Sequence, residues 1–185
     1  MPNLVYCSLI MEGKAEAIAQ VKTDISGLDE DNHIRPIDFN KIIPMPPELN
    51  ISHCETVKKL TYAKYIQKSV DKHFEIFLRA EGSHSYQSKL LLAERYFENY
   101  QKYEAMTWYD WCNIHWGTKW NALYDEFQEQ NKDPHVIHFI TADHPSVPIM
   151  NALACKYPEV SFSLEYFNES DNEDITTLKF IIGEP

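Results

Sequence analysis

Residues 3–11 read "NLVYCSLIM", and the placement of this one stretch decides the fold. Its alternate positions are apolar on both sides, Leu4, Tyr6 and Ile10 on one and Val5, Cys7 and Leu9 on the other. Successive side chains of a strand point to opposite faces, so a strand apolar on both belongs in the interior of a sheet. "HVIHFITA" at 135–142 has the same character, Val136 and Ile140 standing against Ile137 and Phe139. "VSFSLEYF" at 160–167 does not. Val160, Phe162, Leu164 and Tyr166 form an inward row, and Ser161, Ser163 and Glu165 an outward one.

Working outward, "KAEAIAQVKTDIS" (14–26) predicts a short helix with Ala15, Ile18, Ala19, Lys22 and Ile25 on one side, stopped by Gly27. "HPSVPIMNALACKYP" (144–158) predicts a second, which Pro145 and Pro148 open and Pro158 helps close. "WNALY" (120–124) has strand alternation, with Trp120, Ala122 and Tyr124 on one face, and "ITTLKFII" (175–182) reads as a last strand. "NKDP" (131–134) and the acidic "NESDNED" (168–174) are turns.

The proline-rich stretch 28–50 predicts an extended, turning segment that anchors Phe39, Ile42, Ile43 and Met45. In "SHCE", Ser52 and Glu55 have capping-box spacing. Behind them Tyr62, Ile66, Val70, His73 and Phe77 mark one long amphipathic helix. "EGSHS" (81–85) interrupts, and a second helix over 86–105 shows Leu90, Ala93, Phe97 and Tyr100. A helical hairpin over 52–105 is the expectation.

Without that insertion the order is βαββαβ with an extra C-terminal strand. A split βαβ arrangement puts the first and third strands in the middle, and these are the two apolar on both faces. The expected architecture is therefore an α+β, ferredoxin-like antiparallel sheet, one domain over 1–185 with a helical insertion at about 52–105. Two-faced central strands need a second cover, which the insertion is available to provide.

Composition narrows the function classes. At 185 residues and 44% hydrophobic the chain buries a sizeable core, and only five glycines argue against Gly-rich phosphate loops. A net charge of −11 repels phosphate backbones and anionic lipid heads, so neither non-specific nucleic-acid binding nor a membrane partner is expected. The same charge suits solubility or a basic protein partner. Cys7, Cys54, Cys112 and Cys155 show no CxxC pair or disulfide framework, and the N-terminal apolar run has no basic n-region. A cytoplasmic protein with reduced thiols is the expectation.

The segments "DFNKIIPMPPEL", "WYDWCNIHWGTKWNA" and "FITADHPSVPIMNALACKYPEVSFSLEY" together resemble the YubB-type proteins with an Api-like ferredoxin fold, a family of phages, plasmids and genomic islands. The resemblance covers most of the chain, least of all 52–85. "WCNIHWGTKWNA" is its most specific part. It implies the ferredoxin-like domain and a mobile-element origin, and no catalytic residues. Where the family pattern has Thr-Ala-Trp-Ser-Pro-Pro, this chain has Thr141, Ala142, Asp143, His144, Pro145 and Ser146. Asp143 then takes over as the expected helix cap. The family's usual "NWC" near the start is "NLVYC" here.

All four tryptophans fall in "WYDWCNIHWGTKW" (108–120). Trp108, Tyr109, Trp111 and Trp116 offer rigid platforms for a ligand or partner, or else plug a core. Asn113, Thr118, Lys119 and Asn121 are the polar groups that packing explains least. They are candidates for binding contacts, or for satisfying buried backbone around the rings. Cys112 and His115 beside Asp110 imitate a nucleophilic site without a strained nucleophile turn. His135 and His138 point to opposite strand faces and do not chelate together, whereas His138, Asp143 and His144 meet only if the strand–helix junction brings them together. "ESDNED" lacks the glycine and closing Glu of a calcium loop. No metal or cofactor is expected. The leading expectation is a non-enzymatic mobile-element accessory protein that binds a macromolecule, such as a basic nucleic-acid-handling or defence protein of the host. A small-ligand or nucleotide pocket over 108–121 is the alternative, and a Cys112/His115 hydrolase or transferase a third.

Overall fold

The computed structural model describes residues 3–28, 32–80, 82–124, 133–169 and 174–180. It divides into two compact units, residues 1–44 with 112–185, and residues 45–111. Among the described residues no helix is long and apolar enough to cross a membrane.

The first unit is α+β. Its four-stranded antiparallel sheet is made of β1 (Leu4–Glu12), β4 (Val136–Ala142), β5 (Ser161–Asn168) and β6 (Thr176–Phe180), in the order β4-β1-β5-β6. The stretch that opens the sequence is thus paired on both sides: Cys7 stands opposite Phe139 of β4 and Tyr166 of β5. Outside β4, Leu123 exchanges both backbone hydrogen bonds with Ile140, at 2.8 and 2.9 Å. Helices α1 (Ala15–Ile25), α2 (Phe39–Ile42) and α7 (Val147–Lys156) bury Ile18, Val21 and Ile25, then Phe39, then Ile149, Met150 and Leu153. Phe39 stands edge-on to Phe139, ring centroids 6.0 Å apart, which fixes the buried face of the sheet.

That face is Val5, Cys7, Leu9 and Met11 of β1, all buried. The other row, Leu4, Tyr6, Ser8 and Ile10, is only half-buried, which corrects the expectation of two covered faces for β1, while on β4 the same face is buried at Ile140 and Ala142 and half-buried at Val136 and His138. A row of Leu, Tyr and Ile does not by itself require burial, because folded proteins keep much apolar surface in water. On this row Tyr6 stacks on Phe167 at 5.1 Å, and the Ser8 hydroxyl meets His138 Nδ1 at 2.9 Å.

Local readings differ in several places. The buried side of α1 is Ile18, Val21 and Ile25, while Ala15 and Ala19 are exposed. Gly27 does not stop α1 as a left-handed cap; it starts a two-residue hairpin, β2 (Gly27–Leu28) with β3 (Ile34–Arg35). A Cβ there would lie 2.5 Å from the Asp38 carboxylate, so the position needs glycine for close approach. Residues 39–42 are helical rather than extended, because the Asp38 carboxylate caps them by accepting from Asn40 N–H at 3.0 Å. The last strand runs over Thr176–Phe180, and residues 181 and 182 of the expected strand lie outside the described residues, as do 131–132 and 170–173 of the expected turns.

The second unit is helical: α3 (Glu55–Thr61), a π-helical turn over Tyr62–Ile66, α4 (Lys72–Ala80), α5 (Ser83–Tyr103) and the first half of α6 (Trp108–His115). Its core is Val57, Leu60, Leu78, Ala93, Tyr96 and Met106. The expected single long helix is broken. The π turn and left-handed Lys68 (φ 54°) shift the helical phase, so Tyr62 and Phe77 of the expected apolar stripe are exposed and Val57, Leu60 and Leu78 are buried instead. The Ser52–Glu55 capping box does not form. Cys54 holds the cap position without a side-chain bond, and Ser52 offers its carbonyl to the Tyr96 hydroxyl at 2.5 Å. Leu90 and Tyr100 of α5 are half-buried against the core that holds Ala93 and Tyr96, and Phe97, also half-buried, stacks on Tyr65.

Candidate functional site

The tryptophan segment is neither all platform nor all plug. Trp111 and Trp116 are buried, Trp108 is half-buried, and Trp120 is 37% exposed. Trp116 anchors the first unit: its ring is edge-on to Phe39 at 5.8 Å, and its indole N–H donates to the Ile43 carbonyl at 2.9 Å. Burying an indole while pairing its N–H is how a tryptophan serves a core. Gly117 follows at φ +75°, where a Cβ would sit 2.7 Å from Pro148 Cδ. Its tight turn delivers the polar residues behind it.

Those polar residues act mostly inside the protein. The buried Thr118 hydroxyl donates to Ala142 O at 2.8 Å and accepts from Ala142 N–H at 3.1 Å, completing the end of β4 as a neighbouring strand would. The Asn121 side-chain oxygen accepts from Phe39 N–H and Ala122 N–H, both at 2.9 Å, and its amide donates to Asp38 at 2.7 Å. Lys119 pairs with Asp143 at 2.7 Å and lies 5.1 Å from the Trp120 ring centre. Asn113 is exposed on α6. Of the two uses expected for these groups, satisfying backbone and neighbours is the one seen for Thr118 and Asn121.

In the helical unit, Trp108 meets Tyr109 edge-on at 5.7 Å, and Tyr109 leans on His53 at 4.5 Å. His53 Nδ1 in turn meets the Thr107 hydroxyl at 3.1 Å. The Asp110 carboxylate pairs with Lys58 and accepts from Met106 N–H at 3.3 Å. Burial opposes the Lys58 charge, but the Asp110 bond and charge outweigh it and hold its pKa above the ordinary value.

The nucleophile candidate does not assemble. Cys112 is buried, and burial pushes its thiol up to about 12, whereas attack needs a thiolate. Asp110 is committed to Lys58. Cys7 is likewise pushed up to about 12 by burial. The described cysteines carry no disulfide.

The histidines are separated too. His135 Nδ1 meets Met11 O at 3.2 Å, His138 meets Ser8, and His144 is exposed. Among the described residues no group of three His, Cys, Asp or Glu is placed to hold a metal. Asp143 does not cap α7, which begins after Ser146. Instead it adopts φ +69°, accepts from Asn3 N–H at 3.1 Å and is held below the ordinary carboxylate range by the Lys119 bond. Ser146 is buried at the helix start, but its carbonyl already takes Ile149 and Met150 N–H and Pro148 has none to offer, so no anion cradle opens there.

A feature missed in the sequence is where the charge lies. Of 28 acidic and 17 basic side chains, nine of each fall in 45–111, leaving 19 against eight in the α+β unit. The whole net charge of −11 therefore belongs to one unit. Glu12, Glu16, Asp133 and Glu159, near one end of its sheet, are all exposed. Counting charge by segment would have found it, once the segment boundaries were known. Set against models of known protein families, against curated proteins and against solved structures, the chain matches none.

Proposed function

We propose that this chain is a non-enzymatic accessory protein of a mobile element, and that it works by docking its acidic α+β unit onto a basic nucleic-acid-handling or defence protein of the host. The observation that carries the reading is the partition of charge, −11 on one unit and zero on the other. A field of one sign concentrated on one body steers association with a partner of the opposite sign and discriminates against like-charged ones. The resemblance to YubB-type proteins supports the mobile-element origin. Four cysteines without a disulfide fit a reducing compartment, hence the cytoplasm.

The ferredoxin-like arrangement is part of the same proposal. In its support, β1 lies between β4 and β5, Leu123 occupies the place of the missing outer strand beside β4, and β6 is the extra C-terminal one. A small-ligand pocket over Trp108–Asn121 has less support, because Thr118, Lys119 and Asn121 are engaged with Ala142, Asp143, Phe39 and Asp38.

Capture from host lysate at low and at moderate salt tests the proposal. A partner retained at low salt and released as salt rises is expected. No salt-sensitive partner at all would count decisively against it.

A further inference from the structure

The main sheet ends on β6, which among the described residues pairs only with β5. The alternation of hydrogen bonds fixes which of its backbone groups are spent. Glu169 N–H donates to Leu4 O at 3.0 Å, so in β5 Ser163, Glu165 and Phe167 bond toward β1, and Phe162, Leu164 and Tyr166 toward β6. Their opposites Phe180, Leu178 and Thr176 turn N–H and C=O inward. Thr177 and Lys179 therefore direct theirs out of the sheet. The side chains along this rim are exposed: Ile175 at 64%, Thr176, Thr177 and Lys179. Proline, a bulge or several charges blunt most edges. "TTLKF" has one lysine, no proline and an unbroken register.

We propose that this edge accepts an extended, basic segment of another protein as a further antiparallel strand. The inference rests on the proposed docking to a basic partner, and names the part of that partner that is held. Outward N–H and C=O groups at alternate residues call for a chain in the same extended form, since a helix keeps its own backbone groups paired. Charge selects the chain. Glu165 lies directly opposite Thr177, so the two share a face, and its carboxylate is half-buried beside that short side chain. Glu169 follows β5 and Asp174 leads into β6, both exposed. A second copy would bring the same carboxylates and another −11 to the seam, and is repelled.

The same geometry gives register and direction. A ligand residue facing Thr177 stands two strand spacings from Glu165, roughly 10 Å at about 4.8 Å each. An arginine laid across Thr177 spans that gap toward the carboxylate. Lys179 lies at the other end of β6, and like charges directly opposite are unfavourable, so no basic residue belongs against it. In antiparallel pairing the basic positions are therefore those facing Thr177 and Ile175, toward the C-terminal end of the segment and near Asp174.

The test titrates the full chain at moderate salt with a fluorescein-labelled, amidated peptide, Thr-Thr-Val-Arg-Val-Arg-Thr, whose arginines face Thr177 and Ile175. Saturable binding is expected. N-methyl groups on the two arginine amides, which point at β6, should weaken it about ten-fold or more, the size of two lost hydrogen bonds. On the two valine amides, which point away, they should leave it unchanged. A peptide held by charge alone responds equally to both. Glu165→Gln should weaken the parent peptide roughly two- to five-fold, the size of an exposed ion pair. Thr177→Pro removes an N–H that faces outward, where an edge strand accepts proline. It should abolish binding while the circular dichroism spectrum stays like the parent's. No saturation, equal response to the two N-methylations, indifference to Glu165→Gln, or a doubled sedimentation mass of the chain alone that Thr177→Pro abolishes would overturn the proposal. Capture from host lysate is a separate measurement, so docking of the acidic unit and strand addition at β6 fail independently.

Discussion

The two units of this chain hold themselves together by different means and carry different charge. The α+β unit buries a continuous apolar row of β1 and β4 beneath three helices, and turns its most conspicuous polar side chains inward to complete the backbone. It also carries the whole excess of negative charge. The helical unit is neutral, has a smaller core around Tyr96, and leaves aromatic and aliphatic side chains such as Ile76, Phe77 and Leu91 exposed. Exposed apolar side chains occur on both units, Ile34, Ile114 and Trp120 on the α+β unit among them. What sets the α+β unit apart for a partner is its field of one sign.

Substitutions that should act on one unit and spare the other put this contrast at risk, beginning with the most damaging. Phe139→Ala removes a fully buried ring packed against Phe39, and should cost about 3–5 kcal/mol. Amide exchange should show the loss in β1, β4 and β5; an equal loss across 45–111 would mean that the units unfold as one. Gly117→Ala puts a methyl group against Pro148 at a left-handed backbone position. Strain and overpacking together should cost roughly 2–4 kcal/mol by denaturant unfolding. Tyr96→Phe strips the helical unit of two bonds, the hydroxyl's donation to Ser52 O and its acceptance from Cys54 N–H. About 1–3 kcal/mol should be lost, with exchange accelerated in α3 and α5.

The smallest effect is electrostatic. Lys119 holds the Asp143 carboxyl below its ordinary range, so the pair stabilises the fold above the unfolded carboxylate value of about 3.9. The contribution is lost as pH falls through the lowered folded value. Asp143 is 39% exposed, which screens the pair to less than about 1 kcal/mol. Lys119→Met should therefore lower stability slightly at neutral pH, and the difference should vanish in acid titrations taken below both carboxylate values.

Much of the α+β unit was legible because strand alternation is local. The apolar rows of 3–11 and 135–142 read as strands, and both are. β1 is paired on both sides, whereas β4 ends the four-stranded sheet with a single bridge to Leu123 beyond it. Of the inward row of 160–167, Val160, Phe162 and Leu164 are buried and Tyr166 half-buried. What the sequence hides is phase and distance. Tyr62, Ile66 and Phe77 fit one stripe only if the helix is continuous, and a π turn with no proline or glycine to announce it breaks the register. Two-residue strands such as Gly27–Leu28 are too short to show a period.

Thr118 and Asn121 look like free polar groups until the fold brings Ala142 and Phe39 to them. Trp111 and Trp116 could be assigned to the core only with the chain folded.

Two triple variants with equal charge change, assayed for salt-sensitive capture of the host partner, ask most directly whether the acidic unit is the docking body. One carries Glu12→Gln, Glu16→Gln and Glu159→Gln in the α+β unit, the other Glu55→Gln, Glu94→Gln and Glu98→Gln in the helical unit; all six side chains are exposed. Expected is a marked loss of capture in the first and near-parental capture in the second. Equal loss in both, or loss only in the second, would contradict the assignment of binding to the acidic unit.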